Sequence, residues 1–575
     1  MTVRPRFWRD TWSLIKPYWG SEEKFSAWIL LAAVVGLTLA MVYMNVLFND
    51  WYNLFYNALQ EKNVEEFWKQ IMRFCMLAAI YIAMAVYAFY LNQMLQIRWR
   101  RWMTDNYLKQ WLAERTYYRM QLAGNPADNP DQRIAEDLKL FVDDSLNLSL
   151  GLLNAVVTLV SFVGILWALS GPLTIPLGGS EFVVAGYMVW AAVLYAVVGT
   201  WLTHKIGKPL IGLNFNQQRY EADFRFGLIR FRENSESVAL YRGETDELKN
   251  FGGRFASVVD NWWRIMKRQK ILISFTVGYN QIANIFPFVV AAPRYFSGAI
   301  PLGGLMQISN AFGQVQGALS WFIGAYNTFA TWKATSDRLL GFHYSIEQAK
   351  RDAANESGVA LRQGDGDDLV IDAVALGLPD GQPLIAASQV SISAGESLLI
   401  RGPSGSGKST LFRAIAGIWP FGSGTITKPK NFRVLFLPQR PYLPIGRLID
   451  VVCFPNTEGA YPAEQVASAL ADCGLPHLAG RLEESRHWAL ELSPGEQQRI
   501  AFARALLHKP AWLFLDEATS ALDETFEAKL YRLLRERLPA TTIVSIGHRH
   551  ALVDFHARTL ELKENGSGLR ELVPA

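Results

Sequence analysis

The stretch that decides the fold of the C-terminal half of the chain is GPSGSGKST at 402–410. It fits the pattern G-x-x-x-x-G-K-[ST], follows the apolar run ESLLIR and opens a run of helical character, which is the context that a phosphate-binding loop requires. Glycines let backbone N–H groups turn inward around phosphate oxygens, and the N-terminus of the following helix adds partial positive charge. A chance glycine turn before Lys-Ser would not need that flanking strand and helix. The residues predicted to bind ATP here are Gly402, Pro403, Ser404, Gly405, Ser406, Gly407, Lys408, Ser409 and Thr410.

A second motif, AWLFLDE at 511–517, is an apolar run that ends in two carboxylates. In an open α/β sheet such side chains project from the carboxyl end of a strand, where ligands bind. Asp516 is suited to contact Mg²⁺ through water, Ser409 to ligate it with its hydroxyl, and Glu517 to act as the general base that orients the attacking water. On its own, a run that ends in Asp-Glu more often forms a turn. At this interval behind a phosphate-binding loop it indicates nucleotide hydrolysis.

Further residues of this half resemble those of an ABC ATPase. The resemblance is carried by LSPGEQQR at 492–499, SALD at 520–523, His548 at the end of the next apolar run, and Gln439. It implies that Gln439 senses Mg²⁺ and the γ-phosphate and passes the nucleotide state to the membrane domain. It also implies that His548 holds the γ-phosphate and that Asp523 contacts a partner subunit. The signature residues that it assigns to the ATP of the other subunit are Ser493, Gly495 and Glu496.

Two departures from that family pattern affect the expected contacts. Pro494 stands where the signature usually has glycine, and because proline has no N–H it removes one backbone donor to phosphate. Many ABC ATPases stack adenine on an aromatic side chain shortly before the phosphate-binding loop, but this chain has no Phe, Trp or Tyr between Tyr344 and Phe412. We expect Leu376 or Leu378 to lie against the base instead.

The N-terminal part of the chain is divided by long stretches without Asp, Glu, Lys, Arg or His. Each is long enough to cross a hydrocarbon core, which takes about 20 residues of helix, whereas a buried helix of a soluble domain is usually shorter and has one polar face. The predicted spans are 25–49, 74–97, 147–169, 182–203, 271–293 and 303–330. Because no ionisable side chain lies within them, where a proton relay would need one, ATP is the expected energy source.

The charges of the connecting segments predict the orientation. The N-terminus and the second and fourth connections are basic, whereas the third has no positive charge and the fifth has only Arg294. Positive loops stay in the cytoplasm, so both termini and the ATPase domain are predicted to be cytoplasmic, in a bacterial inner membrane. A total of 56 Lys and Arg balances 52 Asp and Glu, which argues against nucleic acid as a partner. Three cysteines without metal-ligand spacing argue against a disulfide scaffold.

The membrane half resembles the BacA/SbmA-related ABC transporters of bacteria and the peroxisomal D subfamily of eukaryotes. The resemblance is carried by NPDQRI at 129–134, the stretch 231–244 and the stretch 49–60. It implies that the two cytoplasmic stretches are contacts through which ATPase movement reaches the membrane helices. Taken alone, the second stretch fits equally well a solvated helix with i, i+4 ion pairs. The candidate coupling residues are Asn129, Asp131, Arg133, Glu233, Glu236 and Glu244.

Neutral polar side chains within the spans form the candidate substrate path. Asn280 and Asn284 are four residues apart in the fifth span, and Gln307, Asn310 and Gln314 follow the i, i+3, i+7 spacing of one helical stripe in the sixth. Polar groups that face lipid are costly, so these are expected to line a cavity suited to hydrophilic or amphipathic cargo. The alternative is that the amides hold helices together by hydrogen bonds.

These observations predict an α-helical membrane domain with six spans at 1–344, and the resemblance implies that this domain has the ABC type IV exporter-like fold. A polar linker at 345–368 and an α/β P-loop ABC ATPase domain at 369–575 follow. One ATP site needs a P-loop from one subunit and a signature from another, and the chain has one of each, so a homodimer is expected.

The resemblance implies ATP-driven uptake of peptides, cobalamin or other hydrophilic or amphipathic small molecules across a lipid bilayer, with ATP and Mg²⁺ as cofactors. The alternatives are export of lipidic or acyl-type substrates, and a membrane-tethered ATPase that regulates a partner. The apolar runs exclude a soluble ABC ATPase that acts on nucleic acid.

Overall fold

The computed structural model describes residues 7–122, 129–177, 180–354, 358–456, 459–566 and 568–575. The chain divides into two compact units. The membrane unit comprises Met1–Lys109 and Asp128–Tyr344, and the ATPase unit comprises Gln110–Ala127 and Ser345–Ala575. By its contacts, the segment 110–127 therefore belongs to the ATPase unit, although it follows the second predicted span.

Up to residue 354, the described chain is almost entirely helical. The helices are α1 Phe7–Trp19, α2 Lys24–Gln60, α3 Val64–Leu112, α4 Thr116–Leu122, α5 Pro130–Gln132, α6 Leu138–Ser170, α7 Tyr187–Glu233, α8 Ser235–Tyr241, α9 Glu244–Phe296 and α10 Leu302–Ala354. Helices α9 and α10 have 53 residues each, which at 1.5 Å per residue makes them about 80 Å long. Helices of this length extend well beyond a hydrocarbon core of about 30 Å.

Four helical segments of the described chain are long and apolar enough to cross a membrane: Lys24–Gln60, Val64–Leu122, Pro130–Ser170 and Tyr187–Glu233. The predicted fifth and sixth spans lie within α9 and α10, which are not among these four. Amide side chains in α9 such as Asn280 lower its hydropathy. The number of six spans therefore remains a prediction.

The boundary between the third and fourth predicted spans needs correction. Gly171 (φ +59°) ends α6, and an antiparallel hairpin of strands β1 Pro172–Leu177 and β2 Ser180–Ala185 precedes α7. The prediction starts the fourth span at 182, but 182–185 pair in β2, and the helix begins only after Gly186 (φ +63°). A left-handed backbone, which glycine adopts at little cost, does not continue a helix. The absence of charge does not reveal such breaks.

Helices α6, α7 and α10 share a buried core in the membrane unit. Phe162 of α6, Met188 of α7 and Phe312 of α10 are fully buried in one apolar cluster. Because lipid is as apolar as these side chains, close packing rather than exclusion of water holds such helices together. Helices α7 and α9 approach closely at Gly199, where a Cβ would lie 2.3 Å from the ring of Tyr279.

The ATPase unit is built on one large sheet. Its strands are β3 Ala360–Gln363, β4 Leu369–Gly377, β5 Pro383–Ile392, β6 Ser397–Arg401, β7 Gly422–Lys428, β8 Val434–Leu437, β11 Trp512–Asp516, β12 Thr542–Ile546, β13 Arg558–Glu564 and β14 Arg570–Pro574, while β9 Gly446–Arg447 and β10 Ser485–Arg486 form a separate pair. The described sheet has the order β3-β7-β4-β5-β14-β13-β6-β12-β11-β8. Strands β8, β11, β12, β6 and β13 are parallel neighbours, so their carboxyl ends lie at one edge.

Helices pack on the sheet through two apolar clusters. The α-helices of this unit that follow β6 in the sequence are α11 Lys408–Ile415, α12 Leu448–Cys453, α13 Ala463–Asp472, α14 Trp488–Glu491, α15 Pro494–His508 and α16 Glu524–Arg537. On β11, Phe514 belongs to the cluster with α11 and Leu515 to the cluster with α15, and both are fully buried. Successive residues of a strand face opposite sides, so this strand is covered on both faces, as apolar runs of this kind predict.

The predicted linker 345–368 contains regular structure on both sides of residues 355–357, which lie outside the described chain. Helix α10 continues to Ala354, and β3 pairs in parallel with β7. The ATPase unit therefore starts before residue 369. The side chains of β3 are mostly exposed, so its hydropathy does not distinguish it from a linker, and only its backbone pairing reveals the strand.

Candidate active site

The phosphate-binding loop lies between β6 and α11, at the carboxyl end of a parallel strand. Gly402 and Gly407 have φ values of +152° and +97°. A Cβ at Gly407 would lie 3.0 Å from Cδ1 of Ile385, so both the backbone conformation and the available space require glycine. The loop therefore leads into the N-terminus of α11 in the arrangement that suits an anion.

Two polar side chains of this loop are buried in a way that fits phosphate. Lys408 is 5% exposed, and its Nζ donates to the carbonyl oxygens of Gly402 and Pro403 at 2.9 and 2.8 Å. Burial lowers the pKa of Lys408 from its ordinary value, and two nearby carboxylates oppose that shift. The hydroxyl of Ser406 is buried without a hydrogen-bond partner in the described chain. A buried unpaired hydroxyl is costly, and phosphate oxygens would satisfy it.

A hydroxyl and a carboxylate adjoin the loop where a magnesium ion is predicted. Ser409 Oγ donates to Asp516 Oδ1 at 2.9 Å. Burial raises the pKa of Asp516, the Ser409 hydrogen bond opposes the rise, and the charge of Glu517 adds to it. Such oxygens are the ligands that Mg²⁺ prefers, and a cation would offset both the burial of Asp516 and its repulsion by Glu517. The residues therefore fit the ion.

The three predicted catalytic residues come from separate loops and meet at one carboxylate. Gln439 Nε2 donates to Glu517 Oε2 at 3.1 Å, and His548 Nε2 lies 3.0 Å from Glu517 Oε1. Glu517 has a left-handed φ of +49°, a conformation that costs a residue with a side chain about 1–3 kcal/mol and is common at active sites. Its N–H donates to the carbonyl oxygen of Ile546 at 3.1 Å. The carboxylate is thus held between an amide and an imidazole at the end of β11.

A cavity of about 410 Å³ adjoins these residues, a size within the range of small-molecule sites. It is lined by Leu378, Leu384, the loop residues Ser404, Gly405, Ser406, Gly407, Lys408, Ser409 and Thr410, and by Gln439, Asp516 and Glu517. Leu376, one of the two leucines expected against adenine, is 2% exposed in the apolar core. That expectation is wrong for Leu376 because its position in β4 turns it into the core. Leu378 lines the cavity together with Leu384, which the sequence analysis did not identify.

The signature forms the start of α15. Ser493 is its N-cap, and the Glu496 N–H donates to Ser493 Oγ at 3.3 Å, while the Ser493 N–H donates to the Glu496 carboxylate at 2.9 Å. This is a capping box. Pro494 takes the first helical position, where its missing N–H costs the helix nothing, so the fold accommodates the departure from glycine. A Cβ on Gly495 would lie 3.2 Å from the carbonyl oxygen of Ala521.

The signature residues do not line the cavity of their own chain. Ser493, Gly495 and Glu496 are outside the described lining. Asp523 caps α16 by accepting the N–H of Phe526 at 2.8 Å. Their predicted contacts with a second subunit and its ATP therefore remain predictions.

Gln498 of α15, which the sequence analysis missed, joins two loops of the site. It is 2% exposed. Its Nε2 donates to the carbonyl oxygen of Gln439 at 3.0 Å and to Ser520 Oγ at 3.1 Å, and its Oε1 accepts the N–H of Ala521 at 3.0 Å. This side chain therefore fixes the loop that carries Gln439 relative to 520–523. Nothing in its spacing distinguishes it from the neighbouring Gln497.

The segment 110–127 contributes a further residue that the sequence analysis did not single out. Arg115 Nη1 donates to the carbonyl oxygen of Ala416 at 2.7 Å, directly after the last residue of α11. A cation at the C-terminus of a helix is stabilised by unpaired carbonyl groups and by the helix dipole. Leu122 of α4 packs against the apolar cluster that includes α11. The helix that begins at the phosphate-binding loop thus ends against this segment.

The predicted coupling residues of the first connection lie outside that segment. Arg133 is 8% exposed and pairs with Asp137, which also accepts from Arg338 Nη2 at 2.7 Å. Because a buried cation needs such a partner, this ion pair gives Arg133 a structural role within the membrane unit, and its predicted coupling role remains a prediction. Asn129 and Asp131 are exposed, and their coupling role remains a prediction.

The coupling residues of the second connection surround the short helix α8. Glu233 ends α7, Glu236 lies in α8 and Glu244 begins α9, and all three are exposed. The end of α8 also exposes Leu240 and Tyr241, at 77% and 86%. Exposed apolar side chains that lie together mark interaction surfaces, so this turn remains the predicted contact.

Two residues of the predicted substrate path bond to a neighbouring helix. Asn53 Nδ2 of α2 donates to Gln307 Oε1 at 2.7 Å, and Asn49 Nδ2 donates to Asn310 Oδ1 and to the Gln307 carbonyl oxygen, both at 3.0 Å. At Gly303, a Cβ would lie 2.0 Å from the carbonyl oxygen of Asn53. Gln307 and Asn310 therefore join α10 to α2, which is the alternative to lining a cavity, because neutral amides in apolar surroundings find each other.

The other three path residues differ in exposure. Gln314 is half-buried, and Asn280 and Asn284 are exposed on α9. Within the stripe of α10, Gln307 and Asn310 therefore pack against α2, whereas Gln314 lies on a more open surface. A role of these three residues in the path remains a prediction.

The loop between β6 and α11, the carboxylates at the end of β11 and the amide and imidazole beside Glu517 define a P-loop ATPase joined to a helical membrane unit. Residues 14–296 match the ABC transporter transmembrane region 2 family, and residues 385–520 match the ABC transporter family.

The chain is 35% identical to the inner membrane ABC transporter ATP-binding protein YddA of Escherichia coli, over 93% of this chain and 94% of that protein. It is 27% identical to the human lysosomal cobalamin transporter ABCD4, over 97% and 94% of the two chains. This chain belongs to the ABC transporter family, whose members couple ATP hydrolysis to transport.

A structure of a bacterial Atm1-family ABC exporter with ATP bound superposes with a TM-score of 0.73 over 95% of both chains, at 17% identity. This likeness concerns the fold alone. The predicted fold class and the predicted resemblance to the D subfamily are confirmed.

Proposed function

We propose that Glu517 is the general base for ATP hydrolysis in this transporter. The observation that carries the proposal is its carboxylate, bonded to Gln439 and beside His548 at the edge of the loop cavity. In that position Glu517 accepts a proton from water as the water oxygen attacks the γ-phosphorus and the bond to ADP breaks. Gln439 and His548 fix the carboxylate, and His548 is placed to hold the γ-phosphate.

Lys408, Ser409 and Asp516 hold the substrate in this proposal. The Nζ of Lys408 exchanges the carbonyl oxygens of the loop for β- and γ-phosphate oxygens. Ser409 and Gln439, with Asp516 through water, would hold magnesium, and the ion would supply charge that offsets that of the phosphates. The apolar side chains of Leu378 and Leu384 border the cavity and are available to the adenine base.

The active form is a homodimer in which each ATP lies between the loop of one copy and the signature of the other. The position of Ser493 and Gly495 outside the cavity of their own chain supports this arrangement. Lys408→Ala chains mixed with Ser493→Arg chains would place both defects in one shared site of each mixed dimer. Recovery of ATP hydrolysis in the mixture, absent from either variant alone, is expected. No recovery, with mixed dimers isolated through two affinity tags, would refute shared sites.

The transporter lies in a bacterial inner membrane with its ATPase unit and both termini in the cytoplasm. The basic second and fourth connections support this orientation, and the similar E. coli protein is named an inner membrane protein. Protease treatment of sealed inverted vesicles is expected to remove the ATPase unit. Its protection in inverted vesicles, with cleavage in right-side-out vesicles, would reverse the topology.

The substrate is a hydrophilic or amphipathic solute such as a peptide or cobalamin, taken up into the cell. The similarity to a lysosomal cobalamin transporter supports this class, as do the exposed amides Asn280 and Asn284 of α9. Reconstitution in both orientations with labelled cobalamin, peptide and acyl-CoA tests it. Acyl-CoA movement away from the ATPase side would favour the exporter alternative. Hydrolysis that no solute stimulates, and that a partner protein alters, would favour a tethered regulatory ATPase.

A further inference from the structure

A basic cavity lies between α7 and α9, outside the ATP site and outside the predicted substrate path. Its volume is about 520 Å³. Pro209, Gly212 and Leu213 of α7 line one side, and Arg264, Lys267, Arg268 and Ile271 of α9 line the other. The cavity thus combines three cations with an apolar wall.

No contact with a described residue explains why three cations lie here. Arg264, Lys267 and Arg268 form neither an ion pair nor a side-chain hydrogen bond with any described residue, and all three are exposed. The helices are held at this level by a different residue, Asn261, whose Nδ2 donates to the Leu213 carbonyl oxygen and to Gln217 Oε1, both at 2.9 Å. Neutral amides therefore fix the walls of the cavity, and its three cations are available to a ligand.

Two of the three cations, Lys267 and Arg268, lie at the depth of the headgroup layer of a membrane, and Arg264 lies just beyond that layer. Ile271 is the first residue of the uncharged run 271–293, and Arg268, Lys267 and Arg264 precede it by about 4.5, 6 and 10 Å along the helix axis. The polar layer on each side of a hydrocarbon core is about 5–8 Å thick. On α7, Lys205 Nζ lies 5.1 Å from the ring centroid of the exposed Trp201, a pair typical of the membrane boundary.

We propose that this cavity binds the phosphate headgroup of an anionic phospholipid in the leaflet on the ATPase side. The three cations provide the charge complementarity, and Ile271, at the membrane end of the cavity, provides apolar contact for the glycerol and the start of the acyl chains. Basic pockets between membrane helices on the cytoplasmic side bind such headgroups. The proposal rests on the orientation given above, and it names a ligand that is not transported.

The test uses the purified full chain in mild detergent, titrated with a short-chain phosphatidylglycerol, with the corresponding phosphatidylcholine and with inorganic phosphate. Replacing Arg264, Lys267 and Arg268 together by Gln is expected to weaken phosphatidylglycerol binding at least tenfold, since each cation near an anionic lipid contributes about fivefold. The matched control replaces Lys205, Lys208 and Lys270 by Gln, three exposed cations near the same level that do not line the cavity. The control is expected to weaken phosphatidylglycerol binding clearly less than the cavity triple does, because its three cations do not line the cavity.

A variant that fills the cavity distinguishes binding inside it from general electrostatic attraction of the lipid to surface cations. A Cβ at Gly212 would meet no atom within 4 Å, so Gly212→Leu can be accommodated, and its side chain is expected to occupy the cavity and weaken phosphatidylglycerol binding with every charge in place. Equal losses in the two triple variants would overturn the proposal, as would unchanged binding in Gly212→Leu. Inorganic phosphate binding as tightly as phosphatidylglycerol would make the cavity a small-anion site. A dimer-to-monomer change in the cavity triple, with lipid binding unchanged, would show that a second copy covers it.

Glu517→Gln separates this proposal from the proposed function. This variant is expected to bind phosphatidylglycerol as the wild type does, because Glu517 is not part of the cavity. If Glu517→Gln binds the lipid and still hydrolyses ATP at the ordinary rate, only the assignment of Glu517 as the general base is refuted. If Glu517→Gln loses ATP turnover as expected, but lipid binding does not depend on the cavity residues, only the lipid site is refuted.

Discussion

In the ATPase unit, Gln439 and His548 are distant from Glu517 in the sequence, and both meet its carboxylate. In the membrane unit, Gln307 of α10 also meets distant polar partners, Asn49 and Asn53 of α2. The first group borders a cavity of about 410 Å³, whereas Gln307 is 8% exposed. A polar side chain with a distant polar partner is therefore part of a reactive site in one unit and part of helix packing in the other.

The two groups differ in the charge that they hold rather than in unpaired atoms, because Asn49 Oδ1 is, like the Ser406 hydroxyl, buried without a hydrogen-bond partner in the described chain. The ATP site holds the unpaired hydroxyl of Ser406 and the carboxyl of Asp516, whose pKa burial raises. A ligand that brings phosphate and a cation relieves both. The membrane amides are neutral and bond to each other, as is usual between helices in lipid. Partly buried charge beside a cavity, rather than an unpaired polar atom alone, thus distinguishes the site that acts on a ligand.

The largest expected effect is at Glu517. Glu517→Gln keeps the shape of the side chain and removes the base, so steady-state ATP turnover should fall by about 10²–10⁴-fold or more. ATP binding should persist because Lys408, Ser409 and Asp516 are unchanged. Glu524→Gln, an exposed carboxylate at the start of α16, is the control and should hydrolyse ATP normally. Near-normal turnover in Glu517→Gln would remove Glu517 from the mechanism.

The next effect concerns the loops around that carboxylate. Gln498→Leu leaves the carbonyl oxygen of Gln439 and the N–H of Ala521 without their buried partner, at a cost of about 1–3 kcal/mol. We expect kcat for ATP to fall about 10–100-fold with little change in ATP affinity. Gln498→Glu, which keeps the acceptor for Ala521 but turns a carboxylate oxygen toward the Gln439 carbonyl oxygen, should lower kcat at least as far. An equal fall in ATP affinity would indicate a folding defect instead.

The active site could be predicted to the extent that its motifs determine local backbone. Gly407 requires a left-handed loop before a helix, and an apolar run ending at Asp516 requires a strand with carboxylates at its end. Motifs of this kind bring the loops of a parallel sheet to one edge. Gln498 and Arg115 could not be predicted because they bind main-chain carbonyl groups, and every residue offers one of those. Only the folded chain shows which carbonyl is within reach.

In the membrane unit, sequence periodicity predicted the face of a residue but not what covers that face. Gln307, Asn310 and Gln314 share one stripe of α10, yet only the register between α2 and α10 brings Asn49 and Asn53 opposite the first two. The hairpin before α7 was also missed, because uncharged residues fit a strand as well as a membrane helix.

Cysteine labelling would show which residues of the predicted path are accessible to water. In a background with the exposed Cys75 replaced by Ser, cysteine at Asn280 or Asn284 should react with a membrane-impermeant thiol reagent. The reaction should be about ten times faster than at Gln307 or Asn310, whose positions become accessible only if α2 and α10 separate. Fast labelling at Gln307 in every state would restore it to the path. Equally slow labelling at all four positions would remove the α9 amides from the path.

A smaller effect is expected at the end of α11. Arg115→Gln removes a cation from a helix C-terminus, an exposed contact worth about 0.3–1 kcal/mol. If this contact carries the nucleotide state to the membrane helices, transport per ATP hydrolysed should fall about two- to fivefold. Arg119→Gln in α4, which removes a neighbouring cation with no described partner, should leave the ratio unchanged. Equal ratios in the two variants would make the Arg115 contact structural only.

We expect nucleotide bound at the loop cavity to change the exposure of the polar side chains on the membrane helices. The most direct measurement is the labelling rate of Asn284→Cys in the Cys75→Ser, Glu517→Gln background, with and without Mg-ATP. No transported solute is needed, and the bound nucleotide is not consumed. We predict a several-fold change in rate on ATP binding, and no change when Lys408→Ala is added. Identical rates with and without ATP, with ATP binding demonstrated in the same sample, would contradict the account.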